Sequence, residues 1–143
     1  MIKIRPLTPD DFPDWLPLWD GNNQGTRDVE VTSETWARLN DKDYPVHGLC
    51  AIDGETMKGL VHYIVHPTTG SIAHACYMQD VYVDPEFRGQ GIAKKLVKAV
   101  AKIGATQKWS RMYWIAEADN EAAQALYNNI GVKLDFTLHV MAV

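Results

Sequence analysis

The chain has 143 residues, enough for one domain with a hydrophobic core, and its 46% hydrophobic and 22% charged residues are those of an ordinary globular protein. No apolar run approaches the roughly 20 residues of a membrane span, and Met1-Ile2-Lys3-Ile4-Arg5-Pro6 lacks the apolar core of a signal peptide, so a cytoplasmic protein without a membrane partner is expected. The net charge is −4, and the first 60 residues hold eleven acids against six bases. That imbalance argues against nucleic acid as a partner; it suits a cationic one, or a merely solvated acidic surface.

In chain order, Ile2 to Leu7 alternates as a short strand. Thr8-Pro9-Asp10-Asp11 reads as a helix start, with Thr8 as cap and Pro9 at the first helical position. Phe12, Trp15, Leu18 and Trp19 continue at helical spacing, and Pro17 is expected to end or kink that helix. Gly21 to Gly25 reads as a loop, and Ser33 as the cap of a short helix ending near Leu39. His47 to Ile52, Met57 to His66 and Ile72 to Val83 form a strand series broken by Asp53-Gly54 and by Pro67 to Gly70. From Gly91 to Lys108, Ile92, Leu96, Val100 and Ile103 face inward while Lys94, Lys95, Lys98 and Lys102 face outward, which predicts an amphipathic helix. Arg111 to Ala116 reads as a strand, Asn120 to Asn129 as a helix, and Val132 to Val143 as one or two closing strands. The order β-α-α-β-β-β-α-β-α-β predicts a single mixed α/β domain over residues 1–143.

Cys50 and Cys76 lie in apolar strand sequence and read as buried, reduced thiols. The histidines at 47, 62, 66, 74 and 139 show no metal spacing and read as structural, so no metal is expected. The chemistry concentrates at Asp84-Pro85-Glu86-Phe87-Arg88-Gly89-Gln90-Gly91-Ile92-Ala93, which runs from a strand through a tight loop into a helix. Gly89 and Gly91 allow a sharp turn, and the helix beyond offers unpaired N–H groups and the positive end of its dipole, a geometry that binds phosphate. The lysine of a P-loop and the third glycine of a dinucleotide fingerprint are both missing.

Arg88-x-x-Gly91-x-Ala93, following Val81-Tyr82-Val83-x-Pro85, resembles the pyrophosphate-binding motif of the GNAT N-acetyltransferase superfamily. Asn120-Glu121-Ala122-Ala123-Gln124-Ala125-Leu126-Tyr127, with Gly131 after it, resembles the family's closing pattern Asn-x-x-Ala-x-x-Leu-Tyr. The resemblance implies a twisted, mostly antiparallel sheet flanked by helices, with acetyl-CoA as cosubstrate. It also implies that the backbone of Val81 and Val83 meets the pantetheine arm and that the amides of Arg88, Gly89, Gln90, Gly91, Ile92 and Ala93 hold the pyrophosphate. Asn120 would contact pantetheine, and Tyr127 would lie near the sulfur as general acid. The C-terminal strand, about Phe136 to Met141, is expected by analogy to pair across a homodimer.

Tyr77-Met78-Gln79-Asp80-Val81-Tyr82-Val83 resembles the central strand Tyr-Leu-Glu-Asp-Phe-Phe-Val of the polyamine-acetylating branch. Gln79 stands where that branch has glutamate, and an amide takes up no proton. Asp80 is left as base, as cation anchor or as a structural group. By the same resemblance residues 12–44 build the acceptor pocket, where acids accompany Trp15, Trp19, Trp36 and Tyr44. That combination suits a small cationic, polyamine-like amine; the other reading is that the tryptophans are simply core. The alternatives are a protein lysine or N-terminus as acceptor, and a non-catalytic acyl-CoA-binding regulatory module.

Overall fold

The computed structural model describes residues Met1–Val143. Strand β1 (Lys3–Pro6) leads into a single 3-10 turn (Pro9–Asp11) and helix α1 (Phe12–Asn22). Helix α2 (Val29–Leu39) follows, then strands β2 (Val46–Asp53), β3 (Thr56–His66) and β4 (Ala75–Val83). Helix α3 (Ile92–Gln107) crosses over to β5 (Arg111–Tyr113), and α4 (Glu121–Ile130) comes last. The five strands form one sheet in the order β1-β2-β3-β4-β5. Only β4 and β5 run parallel, joined by the single crossover helix α3; β1 and β2, joined through the helix pair α1 and α2, and the two consecutive pairs β2–β3 and β3–β4 are antiparallel. The mixed α/β architecture expected from the sequence is therefore present. No helix is long and apolar enough to cross a membrane.

Strand alternation sorts the apolar residues onto two faces. Leu49, Ala51, Val61 and Tyr63 join Ile92, Leu96, Val97 and Val100 of α3 in one core. Cys50, Leu60 and Met57 join Trp15, Leu18 and Trp19 of α1 in the other. Each fully buried apolar side chain of this size contributes about 1.5–3 kcal/mol, so both layers are held chiefly by apolar burial. The two thiols are free and buried, and burial pushes Cys50 up to about 11 and Cys76 up to about 12.

A β-bulge in β4 sets up the site. His62 pairs with Asp80, but the next residue, Tyr63, pairs with Met78, so Gln79 is an extra residue with no partner. One inserted residue switches which parity faces inward. Cys76 and Met78 before the bulge, and Val81 and Val83 after it, all pack into the α3 core. Asp80 is thereby delivered to the opposite face, beside α1.

Several boundaries differ from the sequence expectation. Helix α1 continues through Pro17 to Asn22. Pro13 and Pro17 both lie on its exposed side, where water satisfies the carbonyl that proline leaves free. Helix α2 begins at Val29 instead of near Ser33, because the Asp28 carboxylate caps it by accepting the Val31 N–H (3.0 Å). Strand β4 begins at Ala75, three residues after the exposed Ile72, and β5 stops at Tyr113, short of Ala116. Residues 132–143 form no strand, and the outer edges of β1 and β5 stay unpaired.

Candidate active site

Parallel pairing between β4 and β5 covers only Ala75–Tyr77 and Arg111–Tyr113. β5 ends at Tyr113, opposite Tyr77, and β4 runs on to Val83 with one edge open. Its hydrogen-bond phase follows from one contact, the Asp84 N–H donating to the Lys58 carbonyl (2.9 Å). In an antiparallel ladder the bonded pairs alternate, so Tyr82 and Asp80 bond to β3, while Val81 and Val83 turn their polar backbone groups to the open edge. Arg88 confirms the phase: its Nε donates to the Val83 carbonyl from that side (2.9 Å).

The loop after β4 is fixed locally. Asp84 accepts the Glu86 N–H (3.0 Å) and caps the turn Pro85–Phe87. Gly89 and Gly91 then adopt φ of 80° and 77°, where an L-residue would pay roughly 1–2 kcal/mol. A Cβ at either position would meet nothing within 4 Å, so glycine is needed for backbone conformation, and the loop stays open to a ligand. The first helical bond of α3 runs from the Lys95 N–H to the Gly91 carbonyl (3.1 Å), leaving the N–H groups of Ile92, Ala93 and Lys94 without a helical acceptor. Helices α1, α2 and α4 each carry an acid in the first turn, but α3 has none and carries Lys94 and Lys95 there. The positive end of its dipole is therefore not neutralised within the chain. Arg88, with its guanidinium 5.3 Å from the centre of the Tyr82 ring, straps this loop to β4.

Helix α4 borders the same side. Asn120 caps it, its Oδ1 accepting the Ala123 N–H (3.1 Å), so only its amide nitrogen remains for another partner. Lys94 Nζ donates to Asn129 Oδ1 (2.9 Å), tying the first turn of α3 to the last turn of α4. Tyr127 is half-buried, its ring 5.3 Å from that of Trp114, and burial pushes its phenol above the ordinary value of 10. It therefore holds its proton throughout the neutral range.

On the α1 face, Asp80 is clasped from two sides. Asn22 Nδ2 donates to its Oδ1 (3.0 Å), and His62 Nδ1 lies 2.9 Å from its Oδ2. His62 Nε2 in turn accepts from the Trp15 indole N–H (3.0 Å). Burial works to raise the Asp80 pKa, but His62, by hydrogen bond and by charge, and then the Asn22 hydrogen bond outweigh it and hold the carboxyl below its ordinary value. Asn22 also lines a cavity of about 460 Å³ between the end of α1 and the start of α2, with Asn23, Gln24, Thr26 and Asp28.

The expected aromatic cage for a cation is not there. Trp15 is 0% exposed and Trp19 8%, stacked 5.2 Å apart in the core, so neither offers a face to a ligand. Trp36 packs on the same cluster, and Tyr44 already has Arg38 over its ring (5.4 Å). Much of the acid excess is likewise engaged, with Asp11 on Arg5, Asp20 on Arg27, and Asp53 on Lys58 and the N-terminus. Asn22 and His62 escaped the sequence reading: the first was placed in a loop, and the second meets Asp80 only through strand register.

The open edge of β4, the glycine loop and the un-neutralised start of α3 present unpaired backbone N–H groups suited to an anion. The chain belongs to the Acetyltransferase (GNAT) family, whose family model matches residues 7–132, and it is an acetyl-CoA-dependent N-acetyltransferase. It is 30% identical to D-amino-acid N-acetyltransferase HPA3 of Saccharomyces cerevisiae, over 96% of this chain and 89% of that one. It is 38% identical to thialysine N-epsilon-acetyltransferase of Sus scrofa, over 52% of this chain and 42% of that one. Among solved structures, AAC(6')-Iy in complex with a bisubstrate analog, CoA-S-monomethyl-acetylneamine, superimposes with a TM-score of 0.86, covering 100% of this chain and 98% of that chain at 17% identity.

Proposed function

We propose that the protein transfers the acetyl group of acetyl-CoA to the primary amine of a small cationic, polyamine-like acceptor, with Tyr127 as general acid. The observation that supports this reading is the set of unpaired backbone N–H groups at the start of α3, with the proton-holding Tyr127 phenol on α4, a helix tied to that same first turn of α3 by Lys94. The N–H groups of the Gly89–Lys94 segment suit the pyrophosphate, and those of Val81 and Val83 suit the pantetheine arm, because both sets lie free at the open side of β4. Asn120 has its amide nitrogen left for the same arm. Arg88 contributes by fixing the loop, and its terminal nitrogens remain for the phosphate.

The chemistry needs a neutral amine. A lysine-like amine has a pKa of about 10.4 and arrives protonated, so one proton must first pass to water or a base. The nitrogen then attacks the thioester carbonyl, the C–N bond forms, the C–S bond breaks, and Tyr127 gives the departing sulfur its proton. A backbone N–H at Val81 is suited to the oxyanion. Acceptors of two curated relatives, a D-amino acid and thialysine by name, are small amines with a further charged group, which favours a small acceptor over a protein lysine.

The test is thiol release from acetyl-CoA across spermine, spermidine, aminoglycosides, amino acids and a lysine peptide. Turnover strongest with small polyamines is the expected result. Turnover confined to the peptide would replace this acceptor class with a protein one. Tight acetyl-CoA binding without release for any amine would favour a regulatory module.

We also propose that residues 136–141 pair with a second copy of the chain. Val132, Leu134, Phe136, Leu138 and Val140 alternate as a strand with one apolar face, and all five are exposed. Light scattering should give twice the chain mass of 16.1 kDa; a monomeric mass would contradict it.

A further inference from the structure

We propose that Trp15, His62 and Asn22 are positioning residues that fix Asp80 as a carboxylate anchor for a second, non-reacting ammonium of the acceptor. The inference rests on the transfer reading above only for the nature of the acceptor.

The argument begins with a donor that has no choice. An indole N–H only donates, so His62 Nε2, 3.0 Å away, must accept. The ring proton then sits on Nδ1 and points at Asp80 Oδ2. An imidazolium would aim a second N–H at the indole N–H. Trp15 is 0% exposed and His62 3%, so no water replaces that lost acceptor. While Trp15 stays in place, the roles of the two ring nitrogens are set, Nε2 accepting from the indole and Nδ1 donating to Asp80.

Asp80 therefore receives two donors, His62 on one oxygen and Asn22 on the other. No lysine or arginine lies within 4.0 Å of it; His62 is its sole basic neighbour. Its negative charge is felt nearby, and Tyr77 registers it, its phenol pushed up by burial first and then by Asp80. A carboxylate largely withdrawn from water, with no lysine or arginine beside it, attracts a cation strongly. Two donors also make it a poor base, which suits a charge that stays on the acceptor rather than the nitrogen that must lose its proton.

The geometry that brings Asn22 to Asp80 is built into α1. A Cβ on Gly21 would lie 2.3 Å from the Tyr82 hydroxyl, so glycine lets the last turn of α1 close on β4. Asn22, next in the chain, then bridges Asp80 and the cavity between α1 and α2.

The test compares spermidine with butylamine by titration calorimetry, with coenzyme A present, and by thiol release. The wild type should bind spermidine roughly tenfold or more tighter, as loss of a hydrogen-bonded charge pair implies. Asp80→Asn, which keeps shape and removes charge, should erase that preference. Trp15→Phe should reduce it by roughly threefold, acting on the spermidine KM more than on kcat. In the same variant the imidazole ¹⁵N signals of His62 should lose the pattern of a ring protonated on Nδ1 alone.

Equal binding of the two amines by the wild type, binding of neither, or a preference that survives Asp80→Asn would overturn the proposal. So would a Trp15→Phe protein with lowered Tm but unchanged preference and unchanged His62 signals, which would mean a structural role only. Thiol release reports separately on the transfer reading. An enzyme that acetylates both amines without preference loses this inference alone, and one that binds spermidine selectively without releasing thiol loses the transfer reading alone.

Discussion

The two faces of the sheet solve different problems with different means. Toward α3 the packing is mostly apolar, and its polarity comes from backbone groups at the open edge of β4 and the start of α3, with the phenols of Tyr63 and Tyr127. Toward α1 the core itself contains side-chain polarity: two tryptophan N–H groups, a buried threonine, a buried histidine and a clasped aspartate, with no buried side-chain nitrogen or oxygen left unpartnered. Backbone amides recognise a constant group such as a pyrophosphate, whatever side chains surround them. A side-chain network is specific to this sequence and is the natural place to distinguish one acceptor from another.

That division can be broken by substitution. The largest effect is expected on the α3 side, where Tyr127→Phe should lower turnover by about 10²–10⁴-fold, as for loss of a general acid, with acetyl-CoA affinity retained in a binding titration. On the α1 side Trp15→Ala should act on stability instead. It removes a fully buried indole and orphans His62, and chemical denaturation should show a loss of about 3–5 kcal/mol.

Asp11 sharpens the contrast at smaller scale. Its carboxylate accepts two hydrogen bonds from Arg5 (2.8 and 2.9 Å) and one from the Thr8 N–H (2.7 Å). The Arg5 bonds, against the opposing effect of burial, hold its pKa below the ordinary value. Its stabilisation is therefore present above the unfolded pKa of about 3.9 and fades as pH falls through the lower folded value. Asp11→Asn should cost about 2 kcal/mol near neutral pH and flatten the acid limb of the stability profile, as read by denaturation at several pH values. Gly91→Ala should be the mildest. The left-handed backbone costs alanine roughly 1–2 kcal/mol, expected as about tenfold weaker acetyl-CoA binding and little change in Tm.

What the sequence revealed depended on how local each signal was. The α3 loop was legible because Gly89, Gly91 and the lysine-flanked helix start act through their own backbone. Cys50 and Cys76 were legible as buried thiols for the same reason, apolar neighbours on both sides. The clasp on Asp80 was not legible, because it needs the bulge at Gln79 to turn Asp80 toward α1 and the β3 register to set His62 opposite. Trp15 and Trp19 were misassigned to a cation pocket because composition tells nothing about which ring faces are covered. Pro17 looked like a helix end, yet its lost hydrogen bond falls on the exposed side of α1. The alternation at residues 132–140 was visible, but alternation alone does not decide whether a segment docks on a sheet edge, and this one does not.

The most direct measurement is steady-state thiol release at saturating acetyl-CoA for Tyr127→Phe and Asp80→Asn side by side, with spermidine as acceptor. Two faces with two tasks predict that Tyr127→Phe loses kcat while keeping its acceptor KM, and that Asp80→Asn raises the acceptor KM by about tenfold with a much smaller change in kcat. An equal collapse of kcat in both variants, with KM unmoved, would contradict that division and make Asp80 part of the proton-transfer chemistry.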